Sequence, residues 1–288
     1  MLNILVTGSN GQLGSEITEL SKTLEDNFFF TDYGTLDITD KDAIDSFVDT
    51  NKIDIIINCA AYTAVDKAEE DEKKADKINH LAVKHLAQIS KEREIKLIHI
   101  STDYVFDGKN YKPYKEEDKT NPPSVYGKTK LAGEKAFLEI APKNSLIIRT
   151  SWVYSSYGEN FVKTMLKYGK EKDELRVIYD QVGTPTYARD LAQLILDIIP
   201  KIKNQKSKIY HYSNEGVLSW YDFAKEIMKM AKIECEVVPI ESFEYPSPAP
   251  RPHYSLLNKA KIKKEFGITI PYWKDSLSEC LIKMGEKR

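Results

Sequence analysis

Leu5-Val6-Thr7-Gly8-Ser9-Asn10-Gly11-Gln12-Leu13-Gly14 is the stretch that decides the fold. A β-rich apolar run over residues 2–7 ends directly in three glycines spaced Gly-x-x-Gly-x-x-Gly. Residues 12–24 then read as a helix, with Leu13, Ile17, Leu20 and Leu24 at helical spacing. Glycines in such a turn allow a tight bend and close approach of a pyrophosphate. The helix start adds N–H donors and the positive end of its dipole. The first gap is one residue wider than in Gly-x-Gly-x-x-Gly. A glycine-rich turn alone is often only a turn, but its place after a first strand favours dinucleotide binding. The candidate cofactor contacts here are Gly8, Asn10, Gly11, Gln12, Leu13 and Gly14.

Working outward, short apolar runs alternate with helical patterns. Strands are expected at 28–31, 54–58, 96–101 and 145–150. Helices are expected at 40–51 (capped by Asp40), 74–93 and 124–140. The 54–58 run is almost continuously apolar, as a buried parallel strand should be. Repeated βα units with right-handed crossovers predict an α/β, Rossmann-type doubly wound parallel sheet. The later chain is less regular. Strands are expected at 175–179 and 209–213, and helices at 189–199, 220–232 and 273–284, with Ser219 and Asp222 forming a capping box. The expected division is a dinucleotide-binding part over 1–151, receiving elements from about 181–212. A smaller mixed α/β substrate-binding part takes most of 152–288. The proline-dense segment 245–252 cannot continue an element and is read as a loop over the substrate cleft.

Asp32 lies at the end of the second strand, where an acidic side chain commonly accepts from the ribose hydroxyls of NAD and repels a 2′-phosphate. It also reads as a turn former before Tyr33-Gly34. No Lys or Arg adjoins it, so the sequence leans to NADH without excluding NADPH. Asp37 and Ile38 are placed at the adenine edge, although Asp37 also suits a turn or cap. Ala60, Ala61 and Tyr62 follow the third strand, where small side chains let a cofactor lie against the backbone.

Tyr126 and Lys130 are four apart on one helix and share a face. Ser101-Thr102-Asp103 ends a strand about two dozen residues earlier. A phenol, a cation and an orienting hydroxyl equip a site to reduce a carbonyl or oxidise an alcohol. Thr102, Tyr126 and Lys130 are therefore the candidate catalytic residues, and Tyr126 and Lys130 also touch the cofactor. An unperturbed Tyr titrates near ~10. Lys130 and the positive nicotinamide product are expected to lower that value by favouring phenolate.

The 288 residues are 41% hydrophobic, enough for a substantial core, and carry 42 basic against 44 acidic side chains. That balance leaves no footprint for nucleic acid and none for an anionic membrane. No apolar run approaches the roughly 20 residues a membrane helix needs. The chain enters its first strand without a basic leader, so a cytoplasmic location is expected. Cys59, Cys235 and Cys280 are few and scattered, forming neither a disulfide framework nor a metal knuckle.

The chain resembles the extended short-chain dehydrogenase/reductase family, and within it the dTDP-4-dehydrorhamnose reductases, essentially end to end. The glycine turn and Tyr-x-x-x-Lys are superfamily-wide. The specific segments are Ser101-Thr102-Asp103-Tyr104-Val105-Phe106 and Arg149-Thr150-Ser151-Trp152-Val153-Tyr154. Others are Gly158-Glu159-Asn160-Phe161, 180–186 and Pro250-Arg251-Pro252-His253. The resemblance implies a dTDP-sugar substrate reduced at its C4 keto group, with NADH or NADPH as cofactor, and it allows a homodimer. It implies that Asp103, Tyr104 and Trp152 line the sugar site, that Asn160 borders the nucleotide and that Arg251 meets the diphosphate. Trp152 reads equally as a core residue.

Related 4,6-dehydratases carry Asp-Glu after the Thr. Here Tyr104 takes the place of that Glu, which argues against a dehydratase. Some relatives hold magnesium through carboxylates. Glu16 matches one such position, but Arg189 stands at the other and cannot ligate, so no metal is expected. Two other readings stay open: a dinucleotide-binding regulatory subunit and a sugar-nucleotide epimerase.

Overall fold

The computed structural model describes residues 1–203 and 205–286. Six parallel strands form its central sheet. They are β1 (Asn3–Thr7), β2 (Asn27–Thr31), β3 (Ile55–Asn58), β4 (Lys96–Thr102), β5 (Leu146–Thr150) and β10 (Lys208–His211). Their order is β10-β5-β4-β3-β1-β2. The chain starts at β1, steps to β2 at one edge, and returns past β1 to β3. Strand order reverses there, so a crevice opens at the C-terminal strand ends.

Alternation along each strand feeds two cores. Ile4, Val6, Ile57, Ile98 and Ile148 face one side, packed against Ile17 of α1 (Gln12–Leu20) and Leu191 and Ile195 of α8 (Ala188–Ile198). Leu5, Ile56, Leu97 and Ile147 face the other. There they meet Val48 of α2 (Lys41–Asn51), Leu86 of α5 (Ala82–Glu92) and Phe137 of α6 (Val125–Ile140). Both faces are covered and the sheet is doubly wound, as the alternating pattern implied. Asp40 caps α2 by accepting from the Ala43 N–H at 3.0 Å.

Two helices depart from the expected spans. Residues 12–24 are helical only to Leu20, followed by a 3-10 turn at Ser21–Thr23, and Leu24 is 43% exposed. The hydroxyls of Thr18, Ser21 and Thr23 each bond back to a carbonyl of the preceding turn. Such bonds compete with the helical ladder. Residues 74–93 are not one regular helix. A short α3 (Val65–Ala68) and α4 (Glu72–Asp76) lead into a π-helical stretch, Lys77–Leu81, before α5. The buried side chain of Asn79 there clasps both backbone groups of Tyr62, at 2.9 and 3.1 Å. A Cβ on Gly133 of α6 would sit 2.1 Å from the Asn79 carbonyl oxygen, so α6 presses directly on this widened turn.

The second lobe is built from small pairings. β6 (Val153–Tyr154) pairs with β9 (Thr186–Tyr187), β7 (Glu174–Ile178) with β12 (Glu236–Ile240), and β8 (Val182–Gly183) with β11 (Leu218–Ser219). Its core joins Val162 and Leu166 of α7 (Phe161–Glu171), Phe223 of α9 (Trp220–Ala231) and Leu277 of α11 (Trp273–Lys283). The Ser219–Asp222 capping box forms at the start of α9. α10 (Ala260–Phe266) returns to the main sheet, with Ile262 and Phe266 in the first core. No helix among the described residues is long and apolar enough to cross a membrane.

Candidate active site

A cleft of about 710 Å³ lies at the C-terminal ends of β1, β3 and β4. Gly8, Gly11, Gln12, Leu13 and Gly14 form its floor. Gly8 has φ +65°, and a Cβ on it would lie 2.7 Å from the Ala60 backbone. A Cβ on Gly14 would come within 2.5 Å of the Gly8 carbonyl oxygen. These two positions require glycine, so strand, turn and helix meet in van der Waals contact. No side chain caps the N-terminus of α1. Its first-turn residues line the cleft with donors and dipole available to an anion. The loop therefore fits a dinucleotide pyrophosphate.

Asp32, Asp37, Ile38, Ala60 and Ala61 line the same cleft. Asp32 forms the turn before Tyr33-Gly34. Its carboxylate accepts from the Gly34 and Thr35 N–H groups at 3.0 and 3.1 Å, and it contacts the Asn10 amide. Burial opposes charge on Asp37, yet the Thr39 N–H and hydroxyl hold its carboxyl below the ordinary range. Asn10 braces Asp32 rather than lining the cleft, and Tyr62 is set behind it by Asn79.

Thr102, Asp103, Tyr104, Tyr126, Lys130 and Trp152 converge at the inner end. Ser124 caps α6 through the Gly127 N–H, and a Cβ on Gly127 would sit 2.3 Å from the Tyr104 carbonyl oxygen. This close approach carries Tyr126 to the end of β4. The Thr102 hydroxyl meets the Tyr126 hydroxyl and accepts from the Tyr104 N–H at 3.2 Å. The rings of Tyr104 and Tyr126 pack edge to face at 5.5 Å.

The charges on this group differ from the sequence expectation. Burial, with smaller contributions from Asp103 and Tyr104, pushes the Tyr126 phenol up, not down. Lys130 does not offset this, because its ammonium donates to the Ile100 carbonyl at 2.6 Å. Lys130 is itself pulled down to about 8 by burial, which the Glu134 carboxylate partly counters. Glu134 in turn is held by Arg149 through bonds of 2.6 and 2.9 Å.

Behind Lys130 runs a buried polar thread that sequence reading missed. Lys130 Nζ lies 3.5 Å from His99 Nε2, and His99 Nδ1 is 3.0 Å from the Asn58 amide. Asn58 accepts from the Thr7 hydroxyl at 2.7 Å. Burial, then Lys130, keeps His99 neutral. The available signal was polar Asn58 and His99 inside apolar strands.

The remaining expected residues stand apart from the cleft lining. Asn160 is the N-cap of α7, and its amide donates to Gln12 Oε1 and the Ser155 carbonyl. Gly158 and Glu159 reach the cleft in its place. Arg251 is drawn to Asp66 at 2.7 Å and to the Tyr104 hydroxyl at 3.2 Å. Asp66 also accepts from the Ala249 N–H. The proline-rich loop is thus fastened to the first lobe beside the cleft. Trp152 has φ +48° and stacks on Trp220 at 3.6 Å, so it is both a cleft wall and an anchor to the second lobe. Glu16 is fully buried, bonded by Ser155 and neutralised by Lys283 at 2.8 Å and Arg189 at 3.4 Å. Among the described residues no group of three or more His, Cys, Asp or Glu side chains converges on a metal position.

Comparison with known proteins agrees with this geometry. The dTDP-4-dehydrorhamnose reductase of Aggregatibacter actinomycetemcomitans is 43% identical, aligned over 96% of this chain and 97% of that protein. The crystal structure of a dTDP-4-dehydrorhamnose reductase from Clostridium acetobutylicum superposes with a TM-score of 0.94. It is 43% identical and covers 99% of this chain and 100% of its own. The Bacillus anthracis dTDP-4-dehydrorhamnose reductase, solved in complex with NADP, also superposes with a TM-score of 0.94. It is 37% identical over 98% of this chain and 100% of its own. The model of the RmlD substrate binding domain matches residues 2–285, and the chain belongs to that family.

Proposed function

We propose that the protein reduces the C4 keto group of dTDP-4-dehydro-6-deoxy-L-mannose to give dTDP-L-rhamnose, using NADH or NADPH. The observation that carries this reading is the convergence of Thr102, Tyr126 and Lys130 at the inner end of a glycine-floored cleft. A bound reduced nicotinamide supplies the hydride. As charge develops on the C4 oxygen, Tyr126 gives it a proton and Thr102 holds it by a hydrogen bond. Lys130 lies next to where the nicotinamide ribose would rest. Leaving the Ile100 carbonyl for that ribose would bring its charge toward the phenol and favour proton release. Asp103, Tyr104 and Trp152 border the sugar. Arg251 would exchange Asp66 for the diphosphate, whose oxygens its planar fork suits. Asp32 suits a ribose 2′-hydroxyl. On this reading residues 1–151, with about 181–212, hold the dinucleotide, and 152–288 mainly the sugar nucleotide.

The test is loss of nicotinamide absorbance with NADH and with NADPH, given freshly made dTDP-4-keto-6-deoxy-L-sugar. Wild type should consume the cofactor, and Tyr126→Phe should lose about 10²–10⁴-fold in kcat. Equal rates in the two proteins would remove Tyr126 from the chemistry. Binding of dinucleotide without turnover would favour a regulatory subunit, and tightly retained oxidised cofactor an epimerase.

A further inference from the structure

Asp103 is a titratable group in the cleft that the reduction outlined above leaves without a part in the chemistry. It follows β4 directly and is 2% exposed. One carboxyl oxygen, Oδ1, is 3.0 Å from the Thr102 hydroxyl. The other, Oδ2, is buried and has no hydrogen-bond partner. The groups facing it do not neutralise a charge. Tyr104 and Tyr126 are phenols, and the Ser255 hydroxyl stands beside the carboxyl just outside hydrogen-bond geometry. The two nearby cations are engaged elsewhere, Arg251 with Asp66 and the Tyr104 hydroxyl, Lys130 with the Ile100 carbonyl. A buried carboxylate with one bare oxygen and no cation is costly, whereas the neutral acid removes that cost. Burial accordingly pushes the Asp103 carboxyl up to about 7.

The carboxyl is also wired to the reacting phenol. Thr102 Oγ1 bonds Asp103 Oδ1 at 3.0 Å and stands beside the Tyr126 hydroxyl, which it favours in its charged form, so the Thr102 hydroxyl lies between carboxyl and phenol. We propose that Asp103 is a proton reserve that recharges Tyr126 through the Thr102 hydroxyl after each hydride transfer. The proposal rests on the reduction described above.

The protons balance as follows. Hydride arrives at C4 and Tyr126 gives its phenolic proton to the C4 oxygen, leaving a neutral alcohol and a phenolate. The Thr102 O–H bond then breaks as its proton joins the phenolate oxygen. The Asp103 O–H bond breaks as its proton joins Thr102 Oγ1. Tyr126 and Thr102 are restored, Asp103 is left as carboxylate, and no electrons change hands. The carboxylate takes a proton from water once product leaves. Asp103 delivers its proton only after hydride transfer, so its loss should slow the later turnovers relative to the first.

Rapid mixing of the cofactor-loaded protein with the dTDP-keto sugar reads this directly. Asp103→Asn keeps the acceptor for Thr102 but carries no transferable proton. At saturating sugar nucleotide, and whatever the rate of its first turnover, the variant should consume one equivalent of reduced nicotinamide per site and then turn over about 10- to 100-fold more slowly than in that first turnover. Wild type needs no substitution to be tested. Below about 7 the reserve is full, and above it the reserve empties, so wild type should develop the same burst as pH rises through that value. Three results would overturn the proposal. In the first, the variant is slowed equally in the first and later turnovers, or only its KM for the sugar rises, which marks a sugar contact. In the second, kcat is unchanged in the variant, so that water recharges Tyr126. In the third, wild type shows no burst on either side of pH 7, which decides the matter even if the variant does not fold. A wild-type protein that transfers no hydride to the keto sugar would instead sink the reductase reading itself.

Discussion

On the strand-end side of the cleft, Gly8, Ala60 and Thr102 each lie within two residues of the end of β1, β3 or β4. On the opposite side, Trp152 lines the cleft, and behind or beside it stand Gly183, Trp220 and Arg251, from three further segments. They are held by long-range contacts: Trp152 stacks on Trp220, Gly183 pairs with Leu218 and its Cβ would lie 3.0 Å from the Trp152 ring, and Arg251 forms an ion pair across to Asp66. The first side follows from a rule of α/β sheets, that ligands bind where strands end and their order reverses. The second has no such rule, and each residue's place depends on a partner far away in the chain. Damage to the first side should therefore reach the dinucleotide and the fold together. Damage to the second should reach the sugar alone.

The largest effect is expected from Gly8→Ala. The new methyl would meet the Ala60 backbone at 2.7 Å, in a left-handed conformation that alanine adopts at a cost. Stability should fall by about 2–4 kcal/mol. Dinucleotide affinity should fall about a hundredfold as the turn shifts by about an ångström. Urea melts and fluorescence titration with NADH measure both. Loss of sugar affinity with normal dinucleotide binding would reverse the assignment of the two sides.

Asp103 lies where the sides meet, with Thr102 on one hand and Ser255 on the other. Its carboxyl is raised from 3.8 to about 7, so between these values the folded protein holds a proton that the unfolded chain has released. Stability carried by that proton is complete below 3.8 and is lost as pH rises toward 7. The stability of Asp103→Asn relative to wild type should therefore grow across this window, by on the order of 2–4 kcal/mol. Paired urea melts across the window test it. A constant difference would mean that Asp103 is ionised throughout.

The same contrast decides what could be read from the sequence. Strand-end residues were legible because strand, glycine turn and helix are local patterns, and Tyr126 and Lys130 share a helix face by spacing alone. The direction of the Tyr126 shift was not legible, because burial and the turn of Lys130 toward Ile100 are tertiary facts. Asp66 as partner of Arg251, Trp220 as partner of Trp152, and the N-cap use of Asn160 were hidden for the same reason. Even the polar thread through Thr7, Asn58 and His99 needs the strand order before it becomes continuous.

Trp220→Ala probes the second side. It removes the ring stacked on Trp152 and tilted against Phe161 at 4.6 Å. An aromatic pair contributes about 0.5–1.5 kcal/mol beyond area burial. With Trp152 freed, kcat/KM for the sugar nucleotide should drop about tenfold while the dinucleotide Kd stays put. A matching loss of dinucleotide affinity would show that the two sides are mechanically one.

The smallest effect, from Asp66→Asn, is the most discriminating. The Arg251–Asp66 pair is half-exposed, with side chains 30% and 42% accessible, so its loss should change stability by less than about 1 kcal/mol. Its effect on the sugar nucleotide has a sign that depends on what Arg251 does. If Arg251 must leave Asp66 to hold the diphosphate, the carboxylate competes with substrate, and neutralising it should lower KM by about two- to fivefold. If the pair persists in the complex and only fastens the proline-rich loop, the substitution loosens the loop and KM rises. Arg251→Lys separates the two further, because a lysine keeps the charge but not the planar two-point grip on phosphate oxygens. A fall in KM for Asp66→Asn together with a rise for Arg251→Lys would make Arg251 a substrate ligand that Asp66 holds in waiting. A rise in both would make the pair a fastening, and the diphosphate would have to find its cation elsewhere on that side of the cleft.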